Sequence, residues 1–208
     1  FIRAQYNDGQ ISGAIRPGYL NEEGARSKSK TETFVAIKAE IANWRWSGTP
    51  FYIRTGKRMA GKATNIVIHF KADAHFIFDQ DQKSSTGNSL IISLHPTEGI
   101  SLQVFTKRHG VNEGMRLRSD PMSLDFIKSQ KLLKIPSGYQ RLLSNILLGK
   151  QRLFLCKEEI ELAWEWCDNA YKIWQKSLQP LYSYPAGSNG PNESKALLQQ
   201  NGHNWHDE

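Results

Sequence analysis

The sequence predicts an α+β domain: a large, mainly antiparallel sheet with helices packed on one face. Three observations predict it. Stretches that alternate with period two crowd the first two thirds of the chain, and such alternation marks half-buried strands. Short turn signals join them, as antiparallel neighbours require. The final third switches to apolar residues at helical spacing, and strands segregated from helices belong to this class.

Residues 1–31 are rich in Gly, Asn, Ser and charge and read as irregular, with turns at Asn7-Asp8-Gly9 and Pro17-Gly18. A long strand is expected from Thr33, with Val35, Ile37, Ala39 and Ile41 as its apolar face and Phe34, Ala36, Lys38 and Glu40 on the other. It ends at NWRWSGTP, where Gly48 and Pro50 enforce a turn. Residues 51–54 are a short strand, the loop 55–64 follows, and NIVIHFK (65–71) is a strand with Ile66, Ile68 and Phe70 on one side. Residues 72–87 form a polar excursion whose Phe76 and Phe78 are expected to tuck onto the core. SLIISLH (89–95) and ISLQVFTK (100–107) make a hairpin about the turn 96–99, and MSLDFI (122–127) is a further strand.

Pro136 can open a helix at its first position. Tyr139, Leu142, Leu143, Ile146 and Leu147 then recur at helical spacing, and Gly149 closes it. A second helix covers 157–178. Its stripe is Ile160, Ala163, Trp164, Cys167, Tyr171 and Trp174, and Glu158, Glu159 and Glu161 at its start suit the helix dipole. After Pro180, YSYPAGSNGP reads as a loop, and a short helix spans about 192–200.

The chain of 208 residues, 39% hydrophobic, suffices for a packed core in one large domain or two small ones; a single domain over 1–208 is the expectation. Trp44, Trp46, Trp164, Trp166 and Trp174 are expected in core and interface packing, with stacking on single-stranded nucleic acid as the competing reading. No apolar run is long enough to span a membrane. FIRAQYNDG lacks the charged head and apolar run of a secretory leader. A cytoplasmic location is expected. A first residue of Phe suggests a fragment of a longer chain. Cys156 and Cys167 have no metal-ligand or disulfide spacing and read as buried thiols in a reducing compartment.

The net charge of +7 is uneven. Between Ile41 and Ala72 there is no acid, against Arg45, Arg54, Lys57, Arg58, Lys62 and Lys71. Such a stretch attracts phosphates, nucleic acid or acidic lipid, or is a solvated basic face. Within it, RTGKRMAGKAT (54–64) is one residue short of a nucleotide P-loop: Ala63 stands where Ser or Thr must hold magnesium. A strand rather than a helix follows, so the helix N-terminus that cradles phosphate is missing. What remains is a strand–loop–strand hairpin with Lys57 and Lys62 on a glycine-softened loop. Two ammonium groups can approach one small phosphate ester from two sides. Elsewhere the histidines are scattered without metal-ligand spacing. No nucleophile elbow and no dinucleotide-binding glycine fingerprint is present. No metal site and no catalytic residue is therefore expected in this chain.

The segment TETFVAIKAEIANWRWSGTPFYIRTGKRMAGKATNIVIHFK (31–71) resembles the C-terminal domain of bacterial glucose-6-phosphate dehydrogenase. Further collinear blocks agree: RAQYNDG (3–9), PGYLNEEG (17–24), NSLIISLHPTEGISL (88–102), YQRLLSNILLGKQRLF (139–154), EEIELAWEW (158–166) and YPAGSNGP (184–191), then NGHNW. The resemblance implies the substrate-side and dimerisation part of an enzyme that oxidises glucose 6-phosphate at C1 and passes hydride to NADP. It places Lys57 and Lys62 on substrate contacts. It implies that the dinucleotide-binding domain and the catalytic base lie on a preceding part of the polypeptide, that this part alone is inactive and binds no NADP, and that the whole enzyme is a homodimer or homotetramer. Departures from the family pattern are His95, where many members have Gln before Pro, and Lys107-Arg108-His109-Gly110, which lacks the proline of the family's turn. Ser93 stands where some eukaryotic members carry an Arg for a second, structural NADP, so no such site is expected.

On this reading no membrane and no nucleic acid is a partner. Two other classes compete: a non-catalytic oligomerisation or binding module of the same fold, and a basic nucleic-acid binder built on 41–72, which would show steep salt dependence.

Overall fold

The computed structural model of the chain describes residues 1–71, 87–107, 117–125 and 138–206. One unit, Phe1–Lys131 with Tyr182–Glu208, carries the sheets; the other, Leu132–Leu181, carries two helices.

Period-two alternation does produce the strands expected between residues 33 and 107, but they divide between two sheets. The first has the order β10-β1-β4-β5, from β1 (Ile2–Asn7), β4 (Phe34–Glu40), β5 (Pro50–Gly56) and β10 (Tyr182–Pro185). The second has the order β6-β7-β8-β9, from β6 (Thr64–His69), β7 (Ser89–His95), β8 (Gly99–Lys107) and β9 (Leu117–Asp125). A two-stranded ribbon joins β2 (Gly9–Ile11) to β3 (Ala14–Arg16). All pairs are antiparallel except β1 with β10. The α+β class and the mainly antiparallel pairing therefore stand.

Several local expectations are corrected. Residues 1–31 are not irregular throughout: β1 is an inner strand of the first sheet. Its Ile2, Ala4 and Tyr6 face one way and Arg3 and Gln5 the other, and Ala4 is completely buried. YSYP is not loop but β10, and it is recruited by pairing with β1, far away in sequence. In β4 the period is as expected but the buried face is the other one. Phe34 and Ala36 are buried, whereas Val35 and Ile37 are half-buried. The reason is cover: helix α3 (Asn192–Gln199) packs against β1, and Leu197 and Trp205 join the core cluster of Ala4, Tyr6, Phe34, Ala36, Tyr184 and Ala186.

In the second sheet the register aligns Ile66 with Ile92, Ile92 with Ile100, and Ile100 with Leu124 across all four strands. This apolar face is open, with Ile66, Ile100 and Leu124 all exposed. The strand expected at 122–127 begins earlier, at Leu117, and its Pro121 is tolerated because β9 is an edge strand. The excursion with Phe76 and Phe78, the turn at His109 and the helix start at Pro136 lie outside the described residues.

The second unit contains α1 (Gly138–Leu147) and α2 (Lys157–Lys176). Gly149 does close α1: its φ is +64°, and Lys150 N–H reaches the Asn145 carbonyl at 2.8 Å, a Schellman-type bond. Helix α2 starts with a capping box, in which the Glu159 carboxylate accepts from the Cys156 backbone N–H at 2.9 Å. Neither helix has a buried residue. Cys156 and Cys167 are exposed, against the expectation of buried thiols: Cys156 precedes the first turn of α2, and Cys167 lies on a helix with no buried residue. Trp44, Trp164 and Trp166 are also exposed rather than in this chain's core.

Candidate functional site

The loop that carries Lys57 and Lys62 is not a hairpin. Strands β5 and β6 end up in different sheets, and the connector 57–63 is bound to other parts of the chain instead of folding back. Lys57 N–H donates to the Thr33 carbonyl at 2.8 Å, and the Lys57 carbonyl accepts from the Tyr184 hydroxyl at 2.7 Å. Arg58 sits at φ +51°, a left-handed conformation that costs a non-glycine residue roughly 1 kcal/mol. Its carbonyl accepts from Gly187 N–H at 2.7 Å, and Ala60 N–H donates to the Ser188 carbonyl at 3.0 Å. The chain reversal at Arg58 returns Met59 to the core cluster. Gly56 makes room for it: an added Cβ there would stand 2.7 Å from the Met59 sulfur and 2.8 Å from Phe34.

Arg58 itself is spent inside the protein. Its Nη2 lies 2.7 Å and its Nε 3.2 Å from Glu22 Oε1, which also accepts from the Tyr6 hydroxyl at 3.1 Å. The Arg58 hydrogen bond holds the Glu22 carboxyl below the usual carboxylate range, and Glu22 raises the guanidinium in turn. Since the folded value is lowered, this contribution to stability is complete above the unfolded carboxylate range. It is lost as pH falls through the lowered folded value. Tyr6, Tyr19, Glu22, Glu23 and Arg58 border a shallow depression of about 330 Å³ beside the loop. Its two carboxylates make it a poor place for a phosphate.

Lys57 and Lys62 are different. Both are exposed, five positions apart on one connector, and neither ammonium has a hydrogen-bond or ion-pair partner among the described residues. Of the six cations in the acid-free stretch, Arg58 pairs with Glu22 and Arg54 lies over the Trp205 ring, 4.7 Å from its centroid. His95 pairs in register with Thr64, the residue that ends the connector. Residue-by-residue reading missed the anchors Thr33, Tyr184, Arg58 and Glu22. Their signal lay in the PGYLNEEG and YPAGSNGP blocks, both of which supply contacts to this loop.

Among the described residues no group of three or more His, Cys, Asp or Glu could hold a metal ion. His69 is lowered below the ordinary imidazole range by burial, then by His203 and His206. The unit β10–AGSNGP–α3 has the strand–glycine turn–helix order of a dinucleotide cradle. Four of its amides are engaged within the chain. Ala186 N–H donates to Asn7, Gly187 to Arg58, Ser188 to Pro185 and Ser194 to Pro191, all to carbonyls.

Fold and site together define an α+β domain that presents two exposed lysines on a connector tethered through its backbone. Residues 1–206 match the family model described as "Glucose-6-phosphate dehydrogenase, C-terminal domain", and the chain belongs to that family. It is 45% identical over 207 residues to the glucose-6-phosphate 1-dehydrogenase of Rhizobium meliloti (strain 1021), covering 99% of this chain and 41% of that protein. It is 39% identical to the enzyme of Dickeya dadantii (strain 3937), covering 99% and 42%. A solved glucose-6-phosphate dehydrogenase in complex with its substrate glucose-6-phosphate superposes with a TM-score of 0.84 at 27% identity, over 99% of this chain and 41% of that one. The Mycobacterium avium enzyme does so with 0.73 at 26% identity, over 99% and 40%. The chain thus spans about two fifths of the length of these relatives.

Proposed function

We propose that this chain is the substrate-side part of an NADP-dependent glucose-6-phosphate dehydrogenase, which oxidises glucose 6-phosphate at C1 to 6-phosphogluconolactone. The observation that carries this reading is Lys57: a backbone fixed on both sides and an ammonium left free. A phosphate monoester carries about −1.5 to −2 charge at pH 7. Lys57 and Lys62 together offer +2 and six donors. Their role is to bind the phosphate and orient the sugar, while the hydride acceptor and the proton-accepting base come from the preceding part of the polypeptide. Arg54 and Arg58 are engaged internally, which removes two of the six cations of the basic stretch from contact with a nucleic-acid backbone.

The one-domain expectation for 1–208 takes the form of a single functional part that supplies half of the sugar-phosphate site and the subunit contact. The open apolar face of the second sheet supports a homodimer or homotetramer, since a large uncovered apolar patch marks an interaction surface. A cytoplasmic location is part of the proposal. Among the described residues no helix is long and apolar enough to cross a membrane.

Turnover is the test. The full-length polypeptide should reduce NADP with glucose 6-phosphate and not with glucose, and the 208-residue chain alone should show no turnover. Activity of the isolated chain, or none in the full-length one, would refute the reading.

A further inference from the structure

We propose that Tyr184 is a positioning residue for substrate binding: its buried hydroxyl holds the Lys57 peptide so that the ammonium meets the phosphate pre-organised. This rests on the reading of Lys57 as a phosphate contact.

The geometry is a directed chain of hydrogen bonds through the first sheet. Tyr6 N–H donates to Thr33 Oγ1 at 2.9 Å. Thr33 Oγ1 lies 3.2 Å from the Tyr184 hydroxyl oxygen. The Tyr184 hydroxyl has a single proton, with the Lys57 carbonyl at 2.7 Å and the Thr33 carbonyl at 3.1 Å. The Thr33 carbonyl already accepts from Lys57 N–H. The proton therefore goes to the nearer oxygen, that of Lys57, and the Thr33 hydroxyl donates into the Tyr184 oxygen. Every donor then has one acceptor, and both sides of Lys57 are held by one node.

Two features make the node stiff. Tyr184 and Phe34 are buried at 0% and 1% exposure, with rings 5.5 Å apart, so the phenol cannot swing away. Burial also raises the Tyr184 hydroxyl above its ordinary range, which keeps the donor protonated at any pH near neutrality. A lysine has a long, rotamer-rich side chain, and fixing its root removes part of the ordering cost of binding. Tyr184 lies 127 positions from Lys57, so the last strand of the sheet sets the geometry of a loop encoded in the first third of the chain.

The test compares Tyr184→Phe with Lys57→Ala. Phe keeps the ring and removes only the donor. In the 208-residue chain, amide exchange at residues 57–60 should become about tenfold faster, with the β1 and β4 amides unchanged. Faster exchange throughout the sheet would make Tyr184 merely structural and overturn the proposal. In the full-length polypeptide, Tyr184→Phe should raise the Michaelis constant for glucose 6-phosphate about fivefold, with that for NADP and kcat within about twofold. Adding it to Lys57→Ala should give no further rise. If Lys57→Ala is selective and Tyr184→Phe is silent, positioning is refuted while the role of Lys57 stands. If Lys57→Ala is itself silent, the phosphate reading fails first, and the exchange result alone decides whether the tether exists.

Discussion

Replacing Phe34 with Ala should destabilise the sheet-bearing unit by about 3–5 kcal/mol, the usual range for removing a buried phenylalanine. The ring is 1% exposed and lies between Tyr184, Gly56 and Gly190. Two of these neighbours are glycines, which carry no side chain to fill the space that the ring leaves. The cavity term should therefore be near its full size. Phe34 also sits next to Thr33, so the loss should loosen the Lys57 tether as well as the core. Urea unfolding of the 208-residue chain, followed by circular dichroism, reads the effect as a lower midpoint at unchanged slope. A loss below about 1 kcal/mol would mean that the ring is not enclosed as described.

Gly190→Ala should cost about 2–4 kcal/mol, from strain and overpacking together. Its φ is +95°, outside the regions that L-residues favour, and an added methyl would run into Cε2 of Phe34. Gly202 is the control. Its φ of +72° is also positive, but nothing stands within 4 Å of an added Cβ. Gly202→Ala should cost only the conformational part, roughly 1 kcal/mol. Equal losses at the two positions would show that the packing between the 185–190 turn and Phe34 contributes nothing. The turn matters beyond stability, because Gly187 and Ser188 bind the connector at Arg58 and Ala60.

What could be read from the sequence follows the range of the forces involved. Strands β4 to β8 announced themselves by local alternation, and the two longer helices by stripes, caps and Gly149. Strands β1 and β10 did not. Ala4 is too small to signal a core position, and YSYP becomes a strand only through pairing with residues near the opposite end of the chain. The buried face of β4 is likewise set by distant residues. Val35 and Ile37 look more apolar than Ala36, but α3 and the C-terminal tail cover the side that Phe34 and Ala36 occupy. The division into two sheets was hidden because it depends on contacts that pull the connector 57–63 away from a hairpin.

The candidate site divides in the same way. Lys57 and Lys62 were visible as uncompensated cations on a glycine-softened loop. Their independence from internal partners was not visible, since the neighbouring Arg58 looked equivalent until Glu22 claimed it. The anchoring by Thr33 and Tyr184 was likewise invisible, being set by strand order. In each case the chemistry was local and its placement was not.

The central claim is that the connector lysines bind the phosphate of the sugar, and the Michaelis constants of Lys57→Ala and Lys62→Ala in the full-length polypeptide test it most directly. Losing one charge-assisted contact should raise the constant for glucose 6-phosphate by about tenfold or more, with that for NADP within about twofold. An equal rise in both constants, or no rise in either, would contradict direct contact between these lysines and the sugar phosphate.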